Sequence, residues 1–101
     1  MVIISKTTIN EFIKLEPRST DTLLSWYKQA KAADWTKFAD VKQTFNSVDA
    51  VGNNRYCFNI KGNNYRLVAI IHFDIRTMYI VFIGTHAEYD KIDASTVLYK
   101  N

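Results

Sequence analysis

From Arg55 the apolar residues begin to recur every second position, and this change of period is what most constrains the fold. Tyr56, Phe58 and Ile60 alternate with Arg55, Cys57 and Asn59, as expected of a strand with two different faces. Lys61-Gly62-Asn63-Asn64 then supplies residues that tolerate positive φ at Gly62 and Asn63, so the natural connection is a hairpin. Tyr65 to Phe73 makes a second strand, Asp74 to Thr77 a second turn, and Met78 to Ile83 a third strand that is apolar on both faces.

Pairing Ile60 with Tyr65 sets Phe58 opposite Leu67 and Tyr56 opposite Ala69, which collects one greasy face. The other face pairs Asn59 with Arg66 and Arg55 with Ile70. Pairing Phe73 with Met78 across the second turn puts His72 opposite Tyr79, Ile70 opposite Val81, and Arg66 opposite Thr85. The second face is therefore a patch containing Asn59, Arg66, His72 and Tyr79, with Gly84-Thr85-His86-Ala87-Glu88-Tyr89-Asp90 at its rim.

The rest of the chain supplies a cover for the greasy face. Val2-Ile3-Ile4 is a short β-branched run. Thr8 and Glu11 then stand at capping-box spacing before a helix whose stripe is Ile9, Phe12 and Ile13, and which stops before Pro17. Ser19-Thr20-Asp21 caps a second helix with Leu23, Trp26, Tyr27 and Ala30 on one side; Lys28 and Lys31 lie off that stripe on a solvated face. Asp34 caps a third short helix carrying Trp35, Phe38, Val41 and Phe45, and Asn46 to Asn54 is expected to be a loop.

The expected class is α+β. A small antiparallel sheet, a three-stranded meander plus a short N-terminal strand, packs two or three helices on one face. With 101 residues, 48% hydrophobic and 14% aromatic, the chain forms a single domain over residues 1–101. A formal charge of +3 permits an anionic partner without naming one. The lone Cys57 excludes an internal disulfide, fits a reducing compartment and most simply serves as a small buried residue. The N-terminus lacks the apolar region of a signal peptide, and no run approaches the ~20 apolar residues of a membrane span, so a cytoplasmic location is expected.

His86, Tyr89 and Asp90 share one face if a short helix follows Gly84. An arginine can grip phosphate, a histidine or carboxylate can move a proton near neutral pH, and a tyrosine can stack on a base or donate a hydrogen bond. Each also has a structural alternative: His86 as a helix cap, Asp90 paired with Lys91, Tyr89 in the core. Two candidate ligands, His86 and Asp90, make a poor metal site.

The segments Trp26-Tyr27-Lys28, Ala33-Asp34-Trp35, 38–45, 51–55, 58–63, Tyr65-Arg66-Leu67 and 84–90 together resemble, in order and over nearly the whole chain, the HigB-type toxins of bacterial type II toxin–antitoxin systems. The resemblance implies the RelE superfamily fold and an mRNA interferase acting without a metal or other cofactor. It implies cleavage of mRNA on the translating ribosome by 2′-OH attack, and neutralisation by a HigA-like helix-turn-helix antitoxin. The positions matching the polar pattern are Arg55, Asn59, Lys61, Arg66, His86, Tyr89 and Asp90. Arg66, His86, Tyr89 and Asp90 are the expected catalytic residues, with Arg55, Asn59, Lys61 and Lys91 binding RNA. Where relatives carry an arginine two residues after the position of Tyr79, this chain has Val81, which implies one phosphate cation fewer and weakened activity. The alternatives are a non-catalytic module that binds RNA, ribosome or antitoxin, and a toxin of the same fold aimed at gyrase.

Overall fold

The computed structural model describes residues 1–98. The chain runs β1 (Val2–Ile4), α1 (Lys6–Leu15), a 3-10 turn (Pro17–Ser19), α2 (Thr20–Ala32), α3 (Phe38–Thr44), β2 (Val48–Gly52), β3 (Arg55–Ile60), β4 (Tyr65–His72), a second 3-10 turn (Phe73–Ile75), β5 (Thr77–Thr85) and α4 (His86–Tyr89). The α+β class holds, with a mixed sheet of five strands in the order β1-β5-β4-β3-β2. All neighbours are antiparallel except β1 and β5, which run parallel.

The greasy face is the one the alternation selects. Phe58, Ile60, Leu67, Ala69, Ile71 and Met78 point toward Ile9, Phe12, Leu23, Trp26, Ala30 and Val41 of the helices, in one cluster of buried side chains. Trp26 meets the edge of Phe58 at 5.2 Å between ring centroids, and Phe45 meets it at 5.6 Å. Burying each such side chain contributes about 1.5–3 kcal/mol, so this layer dominates the stability of the domain.

Helix starts differ from the capping residues that spacing suggested. α1 begins at Lys6 after Ser5, two residues before Thr8, so the Thr8 and Glu11 capping box does not form. The third helix is organised by Asp40, whose carboxylate accepts from the Thr36 amide and hydroxyl at 2.9 Å each. Those bonds to the charged form hold the Asp40 carboxyl below its usual range. Asp34 pairs instead with Arg76 at 2.7 Å.

The expected loop at 46–54 is a correction: most of it is β2, antiparallel to β3 with Val48 opposite Phe58. Left-handed conformations concentrate in Gly52, Asn53 and Asn54, at φ of 97°, 52° and 62°, which make the turn into β3. Upstream of that turn, the edge of β3 offers hydrogen-bond partners that a solvated loop would have to find in water.

The β3–β4 register is the expected one from Arg55 opposite Ile70 to Ile60 opposite Tyr65. The positive φ values in that hairpin fall on Lys61 and Gly62, one residue earlier than expected. The β4–β5 register departs twice. The second turn closes early, over Phe73–Ile75, and ends on Arg76 at φ 51°, whose guanidinium donates back to the Phe73 carbonyl. His72 therefore faces Thr77, Ile71 faces Met78 and Ile70 faces Tyr79. A slide of two residues keeps the side chains on their expected faces. A bulge then inserts Val81 as an extra residue between Ile80, opposite Ala69, and Phe82, opposite Val68. Beyond it Arg66 faces Gly84 rather than Thr85.

The apolar second face of β5 has its own cover. Cys57, Val68 and Val81 form a second buried cluster packed by Val51, Ile70, Phe82, Tyr89, Ala94 and Val97. Val81 points to the face opposite the helices, as expected, yet it is only 6% exposed because the C-terminal segment lies over it.

Candidate functional site

The rim segment folds as a single helical turn with a full capping box. The Thr85 hydroxyl accepts from the Glu88 amide at 3.2 Å, and the Glu88 carboxylate accepts from the Thr85 amide at 2.8 Å. The His86 amide donates to the Asn64 carbonyl at 3.2 Å, which ties α4 to the β3–β4 hairpin. Gly84 makes the close approach possible. A Cβ there would lie 2.5 Å from the tip of the Phe82 ring and 3.2 Å from Glu88 Cβ, so any side chain would displace that ring and crowd α4.

This turn brings three of the expected residues together with the fourth. His86 Nε2 stands 3.8 Å from Asp90 Oδ2, with both side chains about half exposed. Tyr89, one turn along, leans inward and presents its ring to Arg66, whose guanidinium carbon lies 5.9 Å from the ring centroid. One Arg66 nitrogen, Nη1, donates to the carbonyls of Asn63 at 3.2 Å and Tyr65 at 3.3 Å. Nε and Nη2 have no protein partner among the described residues, leaving donors for a phosphate.

Tyr89 is held from beneath. Its side chain packs against the buried cluster that contains Cys57, and its ring lies 6.2 Å from Phe82. Burial, followed by the Cys57 contact, pushes the Tyr89 phenol up to about 12. Burial likewise raises the Cys57 thiol. Both groups therefore stay protonated at neutral pH, and Tyr89 is a hydrogen-bond donor or a platform rather than a base.

The expected RNA contacts divide. Asn59 pairs with Arg66 across the strands, and Lys61 stands exposed on the same hairpin, its Nζ donating to the Arg18 carbonyl at 3.2 Å. Lys91 follows α4 and is exposed. Arg55 does not join them, because it sits four residues back along β3, about 13 Å from Asn59. Its Nε donates to the Val97 carbonyl at 3.0 Å and its Nη1 to the Asn53 carbonyl at 3.1 Å. His72 and Tyr79 contact each other edge to face at 5.9 Å, at the far end of β4.

A concavity of about 550 Å³ lies elsewhere, along β5 between Ile4, Thr8, Tyr79, Val81 and Leu98. Its lining is apolar apart from hydroxyls, so it offers no charged donor to a phosphate. Among the described residues no group of three or more His, Cys, Asp or Glu side chains could hold a metal ion, and no helix is long and apolar enough to cross a membrane.

Sequence reasoning took Gly84 as a turn glycine, whereas it lies within β5, and it passed over Phe82 and the capping pair. Thr85 and Glu88 could have been found from their three-residue spacing. Phe82 could not, because simple alternation assigns it to the other face and only the bulge reverses that.

Comparison with known proteins bears on the family of the chain. A family described as the HigB toxin, the RelE-like toxic component of a toxin–antitoxin system, matches residues 19–92. The chain is 32% identical over 94 residues to the mRNA interferase HigB of Escherichia coli O6:H1 strain CFT073, covering 91% of each chain. It is 27% identical over 92 residues to the mRNA interferase toxin HigB of Escherichia coli K12, covering 89% of this chain and 88% of that one, and the HigB of Shigella flexneri matches equally.

Proposed function

The chain belongs to the HigB family of RelE-like toxic components of toxin–antitoxin systems, and from that premise we propose that it is an mRNA interferase whose cleavage site is the Arg66, His86, Tyr89 and Asp90 cluster. The supporting observation is the juxtaposition of a guanidinium with free donors and an exposed imidazole–carboxylate pair at one rim of the sheet.

In this reading the 2′-oxygen of the substrate attacks the adjacent phosphorus. The O2′–P bond forms, the P–O5′ bond breaks, and the products are a 2′,3′-cyclic phosphate and a 5′-hydroxyl. The proton leaving O2′ needs a general base and the oxygen O5′ a general acid, and His86 supplies an imidazole at the exposed edge. Asp90, 3.8 Å from Nε2, orients that imidazole. Arg66 stabilises the charge that builds on the phosphoryl oxygens. Tyr89 stays neutral, carries Arg66 and can donate a hydrogen bond. Asn59, Lys61 and Lys91 track the RNA backbone on either side. Val81 leaves Arg66 as the one guanidinium of the cluster, so the site works more slowly than one with two.

A toxic component implies an antitoxin partner; a HigA-like helix-turn-helix protein, mRNA on the translating ribosome and a cytoplasmic location complete the proposal. The test is to induce the chain and its Arg66→Ala, His86→Ala double variant in cells and map mRNA 5′ ends. New ends with the parent alone are expected. Salt-sensitive RNA binding without new ends would identify a binding module instead. Growth arrest with intact mRNA and blocked supercoiling would point to gyrase.

A further inference from the structure

The bulge at Val81 changes which side chains of β5 reach the site. By adding one residue to β5 it turns Phe82 onto the face that carries Arg66, where its ring fills the space beside Gly84 and meets Tyr89 at 6.2 Å. On the same face Cys57, 3% exposed, comes up from β3 into the buried cluster that Tyr89 packs against. Tyr89 is thus held by a ring from β5 and by a thiol from β3. α4 itself is one turn long and is too short to fix a side chain unaided.

We propose that Phe82 and Cys57 are positioning residues of the cleavage site, locking the Tyr89 ring so that it carries the Arg66 guanidinium at the height of the scissile phosphate. The inference rests on the ribonuclease reading above and adds two residues, neither of which touches substrate. Its physical basis is the looseness of every other restraint on Arg66. The two carbonyls it bonds belong to its own hairpin, at separations of three residues and one residue, and both engage the same nitrogen. Without the ring beneath it, the guanidinium can swing with the hairpin. A misplacement of the order of 1 Å costs up to about a hundredfold in rate. Because the loss falls on charge stabilisation in the transition state, it should appear in kcat far more than in KM.

The experiment compares Cys57→Ala, Cys57→Ser and Phe82→Leu with the parent chain on programmed ribosomes, measuring kcat and KM for message cleavage and recording thermal melts. Phe82→Leu keeps an apolar side chain but loses the ring. Cys57→Ser keeps a γ atom packed beneath Tyr89, whereas Cys57→Ala removes it and leaves a gap there. The expected result is a kcat lowered about tenfold or more in Phe82→Leu and Cys57→Ala, with KM nearly unchanged, the fold retained, and kcat restored in Cys57→Ser. Parental kcat in both Phe82→Leu and Cys57→Ala, or equal losses in Cys57→Ser and Cys57→Ala, overturns the inference while the ribonuclease reading stands. A parent chain that cleaves nothing overturns that reading and the inference with it.

Discussion

Two arginines sit on the same face of the same sheet and do different work. Arg55, at the start of β3, spends its donors on main-chain carbonyls and reaches 42 residues along the chain to Val97. Together with Asn53, whose amide donates to the Ser95 carbonyl at 2.7 Å, it straps the C-terminal segment over Cys57, Val68 and Val81. Arg66, at the start of β4, is bonded only within its own hairpin and rests on an aromatic ring with donors to spare. The same guanidinium is a clamp where carbonyls converge on it and a candidate phosphate grip where they do not. The surroundings, more than the residue type, decide the role.

Breaking that contrast at Arg66 should have the largest effect. Arg66→Ala is expected to lower message cleavage by about 10²–10³, as removal of a transition-state donor does, while the thermal midpoint barely moves. A comparable fall in stability would make Arg66 a second clamp. Gly84→Ala comes next. The added methyl collides with the Phe82 ring, so that ring should be driven from its place against Tyr89 and cleavage fall by up to about a hundredfold, with about 1–3 kcal/mol lost in a denaturant titration. Wild-type rates there would mean that the rim tolerates displacement.

Arg55→Ala should show the reverse pattern. About 1 kcal/mol of stability is expected to go, with faster hydrogen exchange in residues 93–97 and cleavage close to the parent's. If cleavage instead collapses with stability intact, Arg55 belongs to the substrate site after all. The smallest effect is in alkali. Tyr89 binds its proton more tightly in the folded chain, at about 12, than an ordinary tyrosine near 10. Between those values the folded state holds the extra proton, so the contribution is present below pH 10 and is lost as pH rises toward 12. Spectrophotometric titration should show one late-ionising tyrosine, and Cys57→Ala should shift it downward.

Much of this was legible in the sequence. The alternation of Tyr56, Phe58 and Ile60 identified the buried face, Lys61 to Asn64 located the hairpin, and the spacing of His86, Tyr89 and Asp90 anticipated a turn that gathers them. The first register followed from these because a four-residue loop and one greasy face admit few pairings. β2 was hidden, because Gly52, Asn53 and Asn54 mark a turn while Val48 to Val51 become a strand only beside the open edge of β3. The second register was hidden as well, since the left-handed conformation of Arg76 and the extra residue at Val81 leave no mark in residue types.

What the sequence determined by itself is therefore periodic and local: which face is apolar, where the chain reverses, and which ionisable groups lie a helical turn apart. Those properties depend on side-chain direction along a single element. Tertiary structure decided the rest, because a bulge, a slid strand and a strap of chain from beyond α4 depend on what lies opposite. They put Phe82 beside Gly84, Cys57 under Tyr89 and Val97 on Arg55, and so separated two arginines that the sequence reading had both directed at RNA.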